Sequence, residues 1–227
     1  MAEWDIITQT LEHLGCPYRE NEPLSDHTSF HIGGPCSIMA FPRRDEEIAA
    51  LIKACIKGNI PYYILGKGSN VLAPDEGVEG LILLLDQHFS DVIVTPEGQM
   101  ICQAGASLSK VCRVALEHSL TGLEFAWGIP GSIGGAAYMN AGAYGGEMKD
   151  VLISCRHLDE KGNAGEYEKE ELCLSYRHSV YSDKTYCITS VVLQLKPGDP
   201  AAIREKMDEL MGRRKEKQPL EFPSAGS

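Results

Sequence analysis

Apolar residues recur every three or four positions in four segments of the chain, a spacing typical of helices that bury one face. The predicted helices carry Trp4, Ile7, Leu11 and Leu14, then span 45–58 and 109–118, and finally begin at Pro200. Gly15 suits the end of the first helix, Asp45 suits the N-cap of the second, and Pro200 suits the first turn of the last. The pattern therefore predicts four helices with recognisable boundaries.

Short apolar segments between these helices predict β-strands. They cover 37–41, 62–65, 81–85, 92–95, 100–104, 151–158 and 186–195, with a hairpin turn at 96–98. The segments 37–41 and 62–65 flank the second helix and predict a β-α-β unit, whereas the later segments are mainly strands. This order is typical of an α+β fold, and the chain shows no internal repeat.

Two glycine-rich segments interrupt the pattern. The sequence Gly-Lys-Gly-Ser-Asn at 66–70 follows a predicted strand, and a longer run at 128–146 also contains apolar residues such as Ile133 and Tyr138. Glycine allows positive φ and close backbone approach, so such loops can direct several amides at phosphate oxygens. A flexible linker would lack those apolar side chains, and the spacing matches neither a Rossmann motif nor a P-loop. The first segment alone could be an ordinary turn, but the two together indicate a ligand of dinucleotide size.

Composition narrows the classes of function. The chain has 227 residues, 43% of them hydrophobic, which suffices for one large domain or two small ones. Its net charge of −11 argues against nucleic acid or an anionic membrane as a partner. The longest apolar stretch, 81–85, is too short to span a bilayer, and the N-terminus does not resemble a leader peptide. Eight cysteines without a CxxC pair are expected to be reduced core thiols of a cytoplasmic protein.

Four motifs occur in order along the chain. They are Gly-Lys-Gly-Ser-Asn at 66–70, the glycine run 128–135 with Asn-Ala-Gly-Ala-Tyr-Gly at 140–145, Ser-Tyr-Arg-His-Ser at 175–179 and Ser-Ala-Gly-Ser at 224–227. Together they resemble the UDP-N-acetylenolpyruvoylglucosamine reductase family over essentially the whole chain. The resemblance implies an α+β, FAD-binding fold of the p-cresol methylhydroxylase and vanillyl-alcohol oxidase (PCMH/VAO) type.

The same resemblance implies a division of the chain into parts. We expect two α+β subdomains at 1–80 and 81–198, which would hold the FAD between them. Residues 199–227 would form a helix and the start of a third, substrate-binding domain. We expect the rest of that domain, including the family's catalytic glutamate, to be missing from this chain.

The activity implied by the resemblance is reduction of UDP-N-acetylglucosamine enolpyruvate to UDP-N-acetylmuramate for peptidoglycan, with noncovalent FAD as cofactor and NADPH as hydride donor. Arg177 would stabilise developing negative charge, and Ser227 would donate a proton to the substrate. Tyr176 would line the substrate, and Lys217 would bind the UDP diphosphate. Residues expected to contact the cofactor are Gly66, Gly68, Ser69, Asn70, Gly128, Ile129, Pro130, Gly131, Ser132, Gly134 and Gly135.

Several alternatives stay open at this point. Arg177 could be a surface residue closing a strand, and Lys217 could be a solvated helix end that complements the helix dipole. Another flavin oxidase of the same fold, or an FAD-binding fragment without turnover, would fit the same loops. His27 and His31 lie four residues apart in a non-helical context, so we expect no metal site there and no covalent flavin at His31. We expect a monomer whose partners are the two nucleotide substrates.

Overall fold

The computed structural model describes residues 4–219 and 222–224, and the elements below are those of the described ranges. The helices are α1 (Asp5–Leu14), α2 (Asp45–Gly58), α3 (Leu108–Glu117), α4 (Ile133–Tyr138) and α5 (Pro200–Lys217). The strands are β1 (Tyr18–Pro23), β2 (Pro35–Ala40), β3 (Tyr62–Leu65), β4 (Val78–Leu84), β5 (Val92–Val94), β6 (Gln99–Gln103), β7 (Leu120–Thr121), β8 (Gly142–Ala143), β9 (Gly146–Glu147), β10 (Leu152–Leu158), β11 (Ala164–Glu168), β12 (Cys187–Gln194) and β13 (Lys196–Pro197).

The first sheet has the order β1-β2-β4-β3. β2 and β3 both run parallel to β4, so the predicted β-α-β unit is confirmed, with β4 between its two strands. β1 lies antiparallel to β2 at the edge and was not predicted. Its sequence, Tyr-Arg-Glu-Asn-Glu-Pro, is polar because an edge strand with mostly exposed side chains needs no apolar pattern.

The boundary predicted between residues 80 and 81 falls inside β4. The apolar run Leu81, Ile82, Leu83 and Leu84 is buried, and it pairs with β2 on one side and β3 on the other. Continuous apolar runs of this kind are typical of a central parallel strand covered on both faces. The first sheet therefore extends to Leu84 and includes the segment that the prediction assigned to the second subdomain.

The second sheet is antiparallel and has the order β11-β10-β12-β6-β5. The final helix α5 contacts α3, β7 and the 3-10 turn Glu124–Ala126. Its apolar residues Ile203 and Met207 belong to the same buried core as Leu193 of β12. α5 thus packs on the elements around the second sheet.

Helix α4 lies within the longer glycine run and was not predicted, because two of its six residues are glycines, which disfavour helices. The side chain of Ser132 caps it by accepting a hydrogen bond from the Gly135 amide, 3.3 Å away. A Cβ at Gly134 would lie 2.7 Å from the Ala104 Cβ, so glycine is what allows α4 to approach the second sheet. Part of the apparent loop is therefore a packed helix.

All eight cysteines lie in the described ranges and are free. Seven are buried, whereas Cys173 is exposed, so the expectation of core thiols does not extend to it. Burial raises the pKa of the Cys55 and Cys102 thiols to about 12, which keeps them neutral and poorly reactive. Among the described helices, none combines the length and the apolar character that crossing a membrane requires.

Candidate functional site

Two cavities lie side by side where the glycine segments meet. The first has a volume of about 360 Å³ and extends from the end of β3 past α4 to the beginning of β12. The second has a volume of about 320 Å³ and lies between the longer glycine run and the end of α5. Six residues line both cavities: Ser69, Asn70, Ile129, Pro130, Met139 and Ala141.

Residues 66–70, which follow β3 directly, form one wall of the first cavity. In the described ranges, none of their five backbone N–H groups donates a hydrogen bond to the protein. Gly66, Gly68 and Ser69 are at least half-buried, and amides at such positions normally have a partner, so these open donors point to an acceptor-rich ligand such as a pyrophosphate. Gly68 has φ of +60°, and a Cβ there would overlap the carbonyl oxygen of His27. Glycine is therefore required for the shape of this loop.

The longer glycine run contributes fewer donors than predicted. The amides of Ile133 and Gly134 donate to the carbonyls of Ala106 and Ala104, and the Gly135 amide donates to Ser132 Oγ. Pro130 has no N–H, and the Ile129 amide donates to Ala126. Within the predicted segment, Gly128, Gly131 and Ser132 are left with amides that have no acceptor in the described part of the chain, and of these three only Gly131 and Ser132 line a cavity. The run joins the first loop through Ser69 Oγ, which donates to the carbonyl oxygen of Pro130 at 2.9 Å.

Gly128 is the predicted cofactor residue that the structure places elsewhere. It lines neither cavity, and a Cβ there would lie 2.7 Å from Met211 Cε on α5. With φ of +84°, it turns the chain against that helix. The other ten predicted cofactor residues all line the first cavity.

The second cavity contains Arg177 and Lys217, which the sequence predicted, together with Arg214 of α5. Its described lining residues include three cations and no carboxylate, although acidic residues outnumber basic ones by 32 to 21 in the whole chain. Such a local excess of positive charge favours an anionic ligand.

A tight turn presents Arg177. Ser175 and His178 exchange two backbone hydrogen bonds of 3.1 and 3.2 Å, which leaves Tyr176 and Arg177 at the tip, with φ of +55° at Arg177. Buried Asn140 supports the turn because its Nδ2 donates to the Ser175 carbonyl at 2.9 Å. Asn140 therefore stabilises the turn that holds Arg177 at its strained, positive φ.

Tyr176 is 87% exposed and lines neither cavity among the described residues. Its ring lies under the Arg177 guanidinium, whose central carbon is 5.6 Å from the ring centroid. The structure thus brings Tyr176 to Arg177 but not to the cavity that it was predicted to line. Ser227, the predicted proton donor, lies outside the described residues.

Arg214 is a site residue that sequence reasoning missed. It is 4% exposed, and its Nε has no hydrogen-bond partner in the described structure, while one terminal nitrogen donates to Gln218 Oε1 at 3.0 Å. Its guanidinium carbon lies 5.8 Å from the centroid of the Tyr144 ring. A buried, incompletely paired guanidinium at a cavity is a strong indication of an anionic ligand. In the sequence, Arg214 is one of several basic residues in the last turn of α5. A favourable interaction with the helix dipole is enough to account for basic residues there, so nothing singles Arg214 out.

Lys184 and Tyr186 line the first cavity but not the second. Lys184 Nζ donates to the Tyr167 hydroxyl at 2.7 Å and lies 4.9 Å from the centroids of both the Tyr167 and Tyr186 rings. Buried His157 stacks on the same two rings, with one ring nitrogen 3.0 Å from the Tyr181 hydroxyl. Burial, and secondarily the Lys184 charge, lowers the pKa of His157. No sequence pattern indicated this cluster, because its members come from separate strands and loops.

The residues present fit a flavin dinucleotide. The first cavity combines open backbone amides with apolar walls that include Leu65, Leu108 and Ile188, as a pyrophosphate joined to two flat ring systems requires. The adjoining cations of the second cavity would meet an anionic substrate. Among the described residues, no cluster of His, Cys, Asp and Glu side chains could hold a metal ion.

Comparisons with known proteins agree with this arrangement. A sequence profile for a family described as FAD binding domain matches residues 36–167. UDP-N-acetylenolpyruvoylglucosamine reductase from Clostridium perfringens (strain SM101) is 45% identical over 220 residues, which cover 94% of this chain and 71% of that protein.

Solved structures show the same similarity. UDP-N-acetylenolpyruvylglucosamine reductase from Thermus caldophilus has a TM-score of 0.75 and 31% identity, over 92% of this chain and 72% of its own. Glucooligosaccharide oxidase from Acremonium strictum, with a TM-score of 0.61 and 16% identity over 85% of this chain and 43% of its own, shares the fold alone. The predicted α+β, FAD-binding fold of the p-cresol methylhydroxylase type is confirmed. By this identity over nearly its whole length, the chain belongs to the UDP-N-acetylenolpyruvoylglucosamine reductase family.

Proposed function

We propose that the protein takes part in peptidoglycan synthesis by reducing UDP-N-acetylglucosamine enolpyruvate to UDP-N-acetylmuramate, with noncovalent FAD and with NADPH as the hydride donor. The observation that carries this proposal is the cavity with three cations and no carboxylate among its described lining residues, placed directly beside the amide-lined cavity. A substrate with a carboxylate and a diphosphate matches the cations of the second cavity, and FAD matches the amides of the first.

The chemistry that bound FAD supplies is transfer of a hydride from NADPH to the enolpyruvyl double bond. The open amides of residues 66–70 would bind the pyrophosphate of the cofactor, and the apolar walls would exclude water from its rings. Lys67 of the same loop and Lys184 also line this cavity and would add positive charge beside the amides. The first cavity thereby fixes the cofactor against the residues that the two cavities share.

Arg177 would hold the substrate carboxylate with two parallel hydrogen bonds and stabilise the negative charge that develops on the adjacent carbon. Lys217 would bind the diphosphate as a flexible point charge. Arg214, whose Nε lacks a partner in the described structure, would supply a further fixed donor. Ser227 would deliver the proton to the adjacent carbon, which completes the net addition of two hydrogens.

Noncovalent binding is supported by the lining of the first cavity. None of its described lining residues is a histidine or a cysteine. Glucooligosaccharide oxidase from Acremonium strictum carries a 6-S-cysteinyl, 8α-N1-histidyl FAD, so attachment through those side chains occurs in this fold. His31, the candidate considered in the sequence, lies on an exposed turn with φ of +58° and lines neither cavity.

The proposal is tested by titrating the purified chain with FAD and then titrating the bound flavin with UDP-N-acetylglucosamine enolpyruvate. We expect flavin absorption bands that shift with this substrate, release of the flavin by urea, and NADPH oxidation that depends on the substrate. UDP-N-acetylglucosamine, which lacks the enolpyruvyl carboxylate, is the matched control ligand and should shift the bands less.

FAD binding, recognition of the enolpyruvyl substrate and turnover can each be contradicted by a separate result. Failure to bind FAD would contradict the cofactor assignment, and flavin bands indifferent to the enolpyruvyl substrate would favour another flavin oxidase of this fold. A spectral response without NADPH oxidation would favour the alternative that these 227 residues bind both ligands without turnover.

A further inference from the structure

The segment 27–29 lies directly behind the cofactor-binding loop 66–70. The Ser29 amide donates to the carbonyl oxygen of Gly68 at 3.1 Å, so the two segments are joined through their backbones. A Cβ at Gly68 would lie only 2.8 Å from the Thr28 Cα, which shows how closely the segments approach. The shape of the loop therefore depends on this supporting segment.

This hydrogen bond orients a donor of the loop. The peptide unit between Gly68 and Ser69 is planar and trans, so its C=O and its N–H point to opposite sides. The C=O points back toward Ser29, and the Ser69 N–H accordingly points away from the supporting segment. Ser69 lines both cavities and its amide has no acceptor in the described part of the chain. Ser29 thus helps to fix the orientation of an open amide in a residue that lines both cavities.

Ser29 also binds a segment that is distant in the sequence. Its Oγ lies 2.6 Å from the carbonyl oxygen of Ser224 and 3.4 Å from that of Gly68. A hydroxyl has one proton, and the shorter distance favours Ser224 as the acceptor. In return, the Ser224 amide donates to the Ser29 carbonyl at 3.2 Å. Ser29 therefore uses its amide for the cofactor-binding loop, and its hydroxyl and carbonyl for residues 222–224.

We propose that Ser29 is a positioning residue that couples occupation of the cofactor-binding loop to the placement of segment 222–224. Ser227, the proposed proton donor, follows three residues later in the sequence. A ligand that orders residues 66–70 would reduce the freedom of Ser29, and through its two bonds to Ser224 it would order the segment that leads to Ser227. This inference rests on the proposed function, because it takes FAD as the ligand of the loop.

The test is hydrogen–deuterium exchange of the full 227-residue chain with and without FAD. In the wild-type protein we expect FAD to slow exchange in the peptide that contains Ser224, although that residue lines neither cavity. In Ser29→Ala the hydroxyl bond is lost, whereas the backbone bonds of residue 29 to Gly68 and to the Ser224 amide remain, so FAD should still bind, with an affinity lower by about 3- to 10-fold. The Ser224 peptide should then be protected by FAD less than in the wild type, because one of its two bonds to residue 29 is lost.

Two further variants separate positioning from general stability. Ser29→Thr keeps the hydroxyl and should restore the FAD-dependent protection of the Ser224 peptide. Ser25→Ala changes a similarly half-buried serine four residues away, whose side chain makes no hydrogen bond in the described structure, and it should behave like the wild type.

The outcomes distinguish this inference from the proposed function. A wild-type chain that does not bind FAD contradicts the proposed function itself. A wild-type chain that binds FAD without any protection of the Ser224 peptide overturns the coupling, and this result needs no variant. Full wild-type protection of the Ser224 peptide in Ser29→Ala would overturn the role of the Ser29 hydroxyl in the coupling.

Discussion

The two cavities share a wall but are built from different parts of the polypeptide. The first offers mainly backbone amides, above all those of residues 66–70, although Lys67 and Lys184 also line it, whereas the second offers the charged side chains of Arg177, Arg214 and Lys217. A backbone donor is present whatever the side chain, so its position depends on the path of the chain. The first cavity should therefore be sensitive to an added Cβ, and the second to a removed charge.

The largest effect is expected from adding a Cβ to the amide-lined loop. Gly68→Ala places a methyl group against the His27 carbonyl at φ of +60°, so the loop must move and its amides lose their alignment. We expect the dissociation constant for FAD to rise at least ~100-fold, the scale on which misplacement by about 1 Å acts in preorganised sites. The measurement is a fluorescence titration of the variant with FAD.

Gly15→Ala is the control for the backbone conformation alone. Gly15 has φ of +62°, and a Cβ there meets nothing within 4 Å. Gly15→Ala should lower the free energy of unfolding by about 1 kcal/mol and leave the affinity for FAD unchanged. Equal loss of affinity in the two variants would contradict the proposed role of the loop.

Removing the charge of Arg177 should have the largest effect in the second cavity. Arg177→Ala should leave FAD bound while slowing reduction of the enolpyruvyl substrate at least ~100-fold, because a preorganised stabiliser of negative charge is lost. The measurement is the rate at which this substrate reoxidises the reduced flavin. Arg156→Ala, at an exposed position on β10, is the control; an unchanged rate in Arg177→Ala would remove Arg177 from the mechanism.

Arg214 tests whether a buried cation serves the ligand or the fold. Arg214→Met removes a guanidinium whose Nε is unpartnered in the described structure, so the free energy of unfolding without ligand should stay the same or rise. The affinity for the UDP substrate should fall about 10- to 30-fold, the value of one or two charge-assisted hydrogen bonds. Titration of the flavin spectrum and urea unfolding measure the two quantities. Loss of stability with unchanged affinity would show that Arg214 is structural.

Two neighbouring glycines of α4 should respond in opposite directions. Gly134→Ala places a Cβ 2.7 Å from the Ala104 Cβ and should lower the free energy of unfolding by about 1–2 kcal/mol. In Gly135→Ala the nearest atom to the added Cβ is Ser132 Oγ at 3.4 Å, which is an ordinary contact distance. The higher helix propensity of alanine should therefore raise the free energy of unfolding by about 0.5 kcal/mol. Urea unfolding without FAD is the measurement, and a stabilised Gly134→Ala would contradict the packing argument.

The smallest effect concerns His157, which stacks on Tyr186 at the first cavity. Its folded pKa lies below the ordinary value of 6.5, so the unfolded chain binds the proton more readily. The contribution to stability is complete above that ordinary value and is lost as the pH falls below it. His157→Phe should weaken the decrease in stability between about pH 8 and about pH 5, because the replaced group no longer takes up a proton on unfolding.

The groups that face His157 decide how the result is interpreted. The Lys184 charge acts in the same direction as burial, whereas Asp159 and Glu166 oppose both. Urea unfolding at the two pH values is the measurement, with His13→Phe on the exposed face of α1 as the control. An undiminished pH dependence in His157→Phe would assign the effect to other groups.

Much of the fold was predictable because the local spacing of apolar residues indicates helices and strands directly. The apolar spacing of α1, α2 and α5 and the runs that became β3 and β12 were recognisable. β1 and α4 escaped prediction, since the first is a polar edge strand and the second contains two glycines. The boundary at 80/81 fell inside β4 because a continuous apolar run does not show which sheet it will join.

The candidate site likewise has features that the sequence could predict and features that it could not. The sequence by itself determined which loop can present open amides, because the glycine at position 68 allows the positive φ and the close approach to His27 that the loop requires. It also indicated Arg177 through the motif at 175–179, and Lys217 through the family resemblance. Only the tertiary structure decided that Gly128 packs on α5, that Tyr176 is exposed and lines neither cavity, and that Arg214 is buried at one of them. Backbone conformation is a local property of a residue, whereas burial and the direction of a side chain depend on segments that only folding brings together.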